Sequence, residues 1–449
     1  MTTGAPVGAD DGQEHQPERA LPDAEPAAGT GSKTRGERRP GVLVVALAIV
    51  AILAGSGLFL SGWTLGRQAA LTPGTPAGEA EAFQPFWDTY RAVTDRYAGG
   101  EVDRKQLIEG AIKGMIGALE DPFSQYLTSE EFKDSLRSIS GEFEGIGATI
   151  GTVDAAGETA TCTTLAPDCR LVVVAPIAGS PADRAGLRPG DVIEAIDGGP
   201  LAGLTVDGAR DRVRGPKDST VTLTIQRETG ERFEVEIVRA VIISPEVETR
   251  NLADGAVGYM RLSGFSDHAA DQLDAAAHDA VERGQKALIL DLRGNPGGYV
   301  TAARDIASQF LADGTIFWQE DADGNLVDTR AKPGGAATDP SIKLVVLVDG
   351  GSASASEIVA GALHDRGRAT LVGTKTYGKG TVQQWTQLEG DSGGFRLTIA
   401  KWLTPDRTWI HRVGITPDVV VDAPPAAPDD DPVLDKALEI LGAQTTGSR

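Results

Sequence analysis

Apolar side chains are unevenly spaced along the chain, and their pattern changes several times. The first 40 residues are rich in Pro, Gly, Ala and charge, with almost no large apolar side chains. They cannot offset the entropy of ordering, so 1–40 is read as a disordered tail. From 41 to 66 no charged residue occurs, and a stretch of that length can cross a bilayer core of about 30 Å as one helix. A Pro- and Ala-rich linker follows (67–82). Then Phe83, Phe86, Trp87, Tyr90 and Val93 recur at helical spacing, and Leu107, Ile108, Ala111, Ile112, Met115, Ile116 and Leu119 repeat the pattern up to Asp121-Pro122. Both stripes predict core-packing helices within a helical region at 83–140. Thr128, with Glu131 three residues on, marks another helix start.

Between 141 and 240 the pattern shortens to strands broken by glycine turns, with 146–150 and 171–174 the clearest. Ser180 caps a short helix that Gly186 stops, and Arg188-Pro189-Gly190-Asp191 turns into a further strand. Beyond Ile242 strands and helices alternate, the mark of α/β architecture. Residues 256–262 read as a strand, 269–283 as a helix, and 287–292 and 344–349 as buried strands, with 395–402 and 414–421 closing a domain that spans 241–422. A linker, short helix and tail occupy 423–449.

Composition narrows the function classes. The 449 residues, 41% of them hydrophobic, suffice for two or three domains. A net charge of −22 without clustered Lys and Arg disfavours a nucleic-acid partner. No Cys/His pattern has metal-ligand spacing, no Gly-x-Gly-x-x-Gly follows a strand, and no Walker-type lysine occurs; neither metal nor cofactor is expected. Lys33, Arg35, Arg38 and Arg39 precede the apolar segment. The positive-inside bias then puts the tail in the cytoplasm and everything after Arg67 outside, anchored in the cell membrane by one helix. The alternative is a cleaved signal peptide, disfavoured by the long leader and by an apolar run beyond the usual 7 to 15 residues or so. In an oxidising compartment the only cysteines, Cys162 and Cys169, either form a small loop-closing disulfide or remain two free thiols.

Two segments carry candidate chemistry. The buried strand at 344–349 runs into Gly351-Ser352-Ala353-Ser354-Ala355-Ser356-Glu357. Ser354 stands three residues before Glu357, which makes it a helix cap. The same position lets the Ala355 amide and the helix dipole stabilise negative charge on an attacked carbonyl. No Gly-x-Ser-x-Gly elbow is centred on Ser354, and no Ser-x-x-Lys occurs. Lys379, between Gly378 and Gly380, is either an exposed loop lysine or, if buried, a base whose pKa falls from about 10.4. Gln383 lies four residues on, about 13 Å away along a strand, so direct contact with Lys379 predicts a helical turn. The turn Arg293-Gly294-Asn295-Pro296-Gly297-Gly298, leaving another buried strand, can aim an amide at an oxyanion.

Gly145-Ile146-Gly147, Ser180-Pro181-Ala182 through Gly190-Asp191-Val192-Ile193, and Ile196-Asp197-Gly198 resemble a PDZ domain of the circularly permuted bacterial type, covering 141–240. The resemblance implies capture of an extended peptide, its carboxylate on amides at Gly145, Ile146, Gly147 and Ala148 and its strand added to a sheet edge. With Asp121-Pro122-Phe123-Ser124, the Arg293 and Ser354 loops, Gly378-Lys379-Gly380-Thr381-Val382-Gln383-Gln384 and Trp409-Ile410-His411-Arg412-Val413-Gly414-Ile415, the chain closely resembles the carboxyl-terminal processing peptidases. That family implies an α/β serine-protease core of the ClpP/crotonase-like type and a serine endopeptidase acting on protein substrates with an accessible C terminus. By motif position its nucleophile, base and assisting glutamine fall on Ser354, Lys379 and Gln383, with Ala355 and Gly297 or Gly298 as oxyanion amides. Arg214 is the candidate sensor between PDZ and active site. Asp349-Gly350 and Tyr377 depart mildly from the pattern, and 162–169 looks like an insertion. A homo-oligomer is left open, as is a second class of function, a non-catalytic membrane-anchored PDZ scaffold. Cleavage lost on Ser354→Ala discriminates the two.

Overall fold

The computed structural model describes residues 78–390, 392–422, 427 and 430–442. The expected tail and membrane segment lie outside them. Among the described residues no helix is long and apolar enough to cross a membrane. The chain divides into two compact units, Met1–Val102 and Asp103–Arg449, a boundary that falls inside the helical region expected at 83–140.

In the first unit, helix Ala80–Arg96 carries the first apolar stripe, yet none of its residues is buried. Phe83, Phe86, Trp87 and Tyr90 instead pack edge to face on one another. The second stripe opens the other unit as helix Arg104–Gly117, which buries only Ile116 and leaves Ile108 and Met115 exposed. The core expected from these two stripes is therefore not formed by them. The helix stops at Gly117, short of Asp121-Pro122, where Glu120 turns the chain at a positive φ of 52°. Thr128 and Glu131 close the expected capping box on helix Ser129–Ser140.

The chain enters and leaves the PDZ domain through one antiparallel ribbon, Glu142–Gly145 against Ala240–Ile243. The strands between them form a sheet in the order Ala148–Val153, Arg170–Pro176, Val192–Ile196, Thr220–Gln226, Arg232–Val238. Ala148–Val153 stands at the edge, and helix Val206–Val213 lies beside it, walling a groove that both line. Cys162 and Cys169 are joined by a disulfide, which resolves the open alternative; closing a loop this short is worth about 2 to 3 kcal/mol.

The second domain is built on a six-stranded sheet in the order Val247–Leu252, Val257–Leu262, Ala287–Asp291, Lys343–Val348, Thr370–Gly373, Val419–Val420. All but the first pair run parallel. Helices Ala269–Glu282, Val300–Ala307 and Ala355–Asp365 pack into the core on one face, and Pro432–Leu441 covers the other. Strands buried on both faces have no solvent side, which is why they read as unbroken apolar runs. In a second, antiparallel sheet Gln125–Leu127 pairs with the start of Gly394–Leu403 and Thr315–Asp321 with its end. Strand Thr381–Gln387 also pairs with Gly394–Leu403, so 381–387 and the segment around Phe123 are fixed by one strand.

Candidate active site

Strand Lys343–Val348 ends where open α/β sheets place their ligands, at the carboxyl edge of the parallel strands. Asp349 there shapes the turn by accepting from the N–H groups of Gly294 (2.8 Å), Gly351 (2.9 Å) and Ser352 (3.1 Å). Ser352 and Ser356 are fully buried and donate to the carbonyls of Leu292 (2.8 Å) and Asn295 (2.9 Å). They bind the serine loop to the glycine turn. Ser354, 8% exposed, is the N-cap of Ala355–Asp365 at φ 55°, ψ −112°. Non-glycine residues rarely adopt a positive φ, and such strain gathers at functional sites. Its backbone N–H donates to Glu357 (2.9 Å), while its hydroxyl sits in the capping-box position too loosely for a full hydrogen bond.

Glu357, fully buried, does far more than cap. One carboxylate oxygen accepts from the Thr376 hydroxyl (2.6 Å) and the Gly378 N–H (2.7 Å). The other accepts from the N–H groups of Ser354 and Lys379 (2.8 Å). One carboxylate thus fixes the backbones of both the serine and the lysine. The Lys379 carbonyl is held in turn by the Trp402 indole (2.8 Å), so its peptide units are pinned at both ends.

Ser354, Lys379 and Gln383 line one cleft of about 630 Å³, together with Pro296, Gly297, Gly298 and Arg396. The Lys379 ammonium lies 5.1 Å from the centre of the Phe123 ring. Burial first, then the positive charge of Arg396, push its pKa down to about 8, against the opposing pull of Asp121 and Glu357. Of the two readings of Lys379, the structure is nearer the buried one: the residue is half-buried in the cleft.

Gln383 departs from the helical turn that direct contact would need. It lies in strand Thr381–Gln387, with a register shift between Val382 and itself. Its amide nitrogen donates to the hydroxyls of Thr381 (2.9 Å) and Thr398 (3.1 Å). The Thr398 hydroxyl donates in turn to Asp121 (2.5 Å), which also accepts from Ser124 (2.6 Å). Burial alone would raise the Asp121 pKa, but these hydrogen bonds outweigh it and hold the carboxyl below its usual range.

The two glycines at the turn differ. The Gly297 N–H is already committed to the Asn295 side chain (2.9 Å). At φ 97° its α-carbon packs so tightly that an added Cβ would stand 2.9 Å from both the Ala355 nitrogen and the Ser354 Cβ. The Gly298 N–H has no acceptor among the described residues, which leaves it and the Ala355 N–H as the open amides beside Ser354. Of the PDZ residues, Gly145, Ile146, Gly147 and Ala148 line the separate groove with Val213 and Arg214. Gly147 is left-handed (φ 75°), and its carbonyl is held by Ser180 (2.8 Å). Arg214 therefore sits at the peptide groove and does not line the serine cleft.

Sequence reasoning missed Glu357 as a bridge, and the Asp121–Thr398–Gln383 chain. It also missed His411, whose buried Nδ1 has no hydrogen-bond partner among the described residues and whose ring stacks on Trp409 at 5.2 Å. Asp121, Phe123 and His411 lie within matched motifs, but nothing local signals their convergence. Among the described residues no group of side chains is arranged to hold a metal.

Fold and cleft together define a serine-type peptidase that carries a PDZ domain ahead of its catalytic core. Residues 256–421 match the model of peptidase family S41, 172–227 that of a PDZ domain, and 67–131 that of the activating protease CtpB N-terminal domain. The chain is 35% identical over 374 residues to the carboxy-terminal processing protease CtpB of Bacillus subtilis, covering 80% of this chain and 72% of that one. It is 38% identical over 372 residues to the carboxyl-terminal-processing protease of Synechocystis, covering 82% and 81%. Among solved structures it is similar to a photosystem II D1 C-terminal processing protease, at 28% identity and a TM-score of 0.45, covering 80% of this chain and 91% of that one. The chain belongs to the carboxy-terminal processing protease family.

Proposed function

We propose that the protein is an endopeptidase that takes the C-terminal tail of a protein substrate into its PDZ groove and cuts the chain by a Ser/Lys mechanism. The observation that carries this reading is the shared cleft: a loosely held Ser354 hydroxyl beside open amides, with a lysine whose pKa is lowered to about 8. Neutral Lys379 takes the proton of the Ser354 hydroxyl as its oxygen attacks the scissile carbonyl. The Ala355 and Gly298 N–H groups hold the oxyanion. Lys379 then gives the proton to the leaving amine, and the acyl-enzyme forms as the C–N bond breaks. Water attacks the ester with Lys379 again as base, releasing the acid and restoring Ser354. Both hydrogens of the Gln383 amide are engaged by Thr381 and Thr398, so any orienting of Lys379 by Gln383 falls to its carbonyl oxygen. Segment 41–66 anchors the enzyme as a single span with the catalytic domain outside the cytoplasm.

The test is incubation of an unstructured protein bearing an apolar C terminus with the wild type, Ser354→Ala and Lys379→Ala. Loss of cleavage in both variants is expected, and equal cleavage by all three overturns the assignment. Protease digestion of intact and permeabilised spheroplasts checks the topology, since a catalytic domain shielded until permeabilisation contradicts the anchor's orientation.

A further inference from the structure

The peptide groove carries positive charge in a chain whose net charge is −22. Its lining at the loop end is Phe143, residues 145–150, Arg210, Val213 and Arg214, with no carboxylate among them. Only part of the strand edge is open to an added peptide. Antiparallel pairing turns alternate residues outward. The Gly147 carbonyl is bonded across the sheet by Ile177, so Ala148 faces the free edge, followed at a period of two by Ile150 and Thr152. The Thr152 carbonyl already accepts from Ala160 (3.0 Å), where the chain folds back on the edge and Val153 bridges Thr159. The Ile150 carbonyl accepts from the Arg210 guanidinium (3.1 Å).

We propose that the PDZ groove selects tails with an acidic side chain two residues before the C-terminal one, and that Arg210 is the residue that reads it. The inference rests on the peptide-binding reading above. With the terminal carboxylate on the loop amides and the last residue paired with Ala148, the residue two before it pairs with Ile150. Its N–H then takes over the Ile150 carbonyl and displaces the Arg210 guanidinium. A donor deprived of its acceptor in a groove is costly, and a carboxylate replaces a neutral acceptor with a charge-assisted one. Arg210 lies three residues from Val213, about 4.5 Å along the axis, and the two strand positions lie about 6.6 Å apart, so helix and tail stay roughly in step. Asp207 pairs with Arg210 at 3.1 Å but is 87% exposed, and such surface pairs hold weakly. The return at Thr159 and Ala160, just ahead of the loop closed by Cys162 and Cys169, ends the edge, which confines readout to roughly the last three residues.

The test uses the full chain carrying Ser354→Ala and short fluorescent peptides with one common apolar last residue and Glu, Gln or Lys two positions before it. The Glu peptide is also made as its C-terminal amide. Anisotropy is expected to show the Glu acid binding about three- to tenfold tighter than Gln, and Lys weakest. Arg210→Gln should level the series and Arg210→Glu should invert it, where tight binding of the Lys peptide also shows that variant to be folded. Equal binding of the three acids, or a Glu preference that survives Arg210→Glu, overturns the inference while leaving the peptide groove intact. Equal binding of acid and amide overturns the peptide-binding reading itself.

Discussion

Replacing Lys379 with methionine is expected to stabilise the protein while abolishing cleavage. In its half-buried place the ammonium has a pKa of about 8 in place of 10.5. At 1.36 kcal/mol per pH unit, that difference is a cost to the folded state of about 3 kcal/mol. Its sign follows from where the proton sits. Between about pH 8 and 10.5 the unfolded chain keeps the lysine proton and the folded chain has lost it, so stability rises with pH across that window. Below it the full cost is present. Methionine fills a similar volume, suits contact with the Phe123 ring and takes no proton. Lys379→Met should therefore gain about 3 kcal/mol at pH 6 to 7, and the gain should shrink toward zero above pH 10.5 or so. Urea denaturation at a series of pH values gives the difference between the two proteins, in which titrating groups that do not interact with Lys379 cancel. Trp402 and Trp409, bonded to the carbonyls of Lys379 and Gly380, report unfolding at the site by fluorescence. A gain that is the same at pH 7 and pH 10.5, or a loss at pH 7, would refute the reasoning.

Three further outcomes are expected. Glu357→Gln turns one acceptor head into a donor facing N–H or O–H groups, so kcat should fall by up to about 100-fold with KM little changed; the stability loss measured by denaturation should be about 2 to 4 kcal/mol. Asp121→Asn removes a charge that raises the Lys379 pKa, so the acid limb of kcat/KM against pH should move to lower pH, and a move upward contradicts the assigned field. Gly297→Ala places a Cβ 2.7 Å from the Ala353 carbonyl at a φ of 97°, so cleavage should vanish while anisotropy still detects tail binding at the PDZ groove.

The sequence reveals most where one physical cause acts over a short span. The strands Ala287–Asp291 and Lys343–Val348 are legible because burial on both faces leaves no alternation to confuse them. Ser354 and Glu357 are legible as a helix start because a capping box needs only its three-residue spacing. What that spacing omits is the reach of Glu357 to Thr376, Gly378 and Lys379, about twenty residues away. The helical turn that direct contact between Lys379 and Gln383 predicts is absent because Gln383 is held in strand Thr381–Gln387, whose register shift at Val382 its spacing does not encode. The stripes on Ala80–Arg96 and Arg104–Gly117 mark apolar faces correctly, but periodicity does not say whether anything covers them. The Asp121–Thr398–Gln383 chain joins two strands and a turn by side-chain hydroxyls, a pattern no local rule encodes.

The ribbon Glu142–Gly145 and Ala240–Ile243 has a consequence for how this enzyme can change. Because Glu142 sits opposite Ile243, the chain resumes the catalytic core at the point where it left it. The whole PDZ module, disulfide included, is a cassette with adjacent ends. It can be excised or exchanged for another reader without moving a single strand of the core sheet, so tail preference and bond-breaking chemistry are free to evolve on separate schedules.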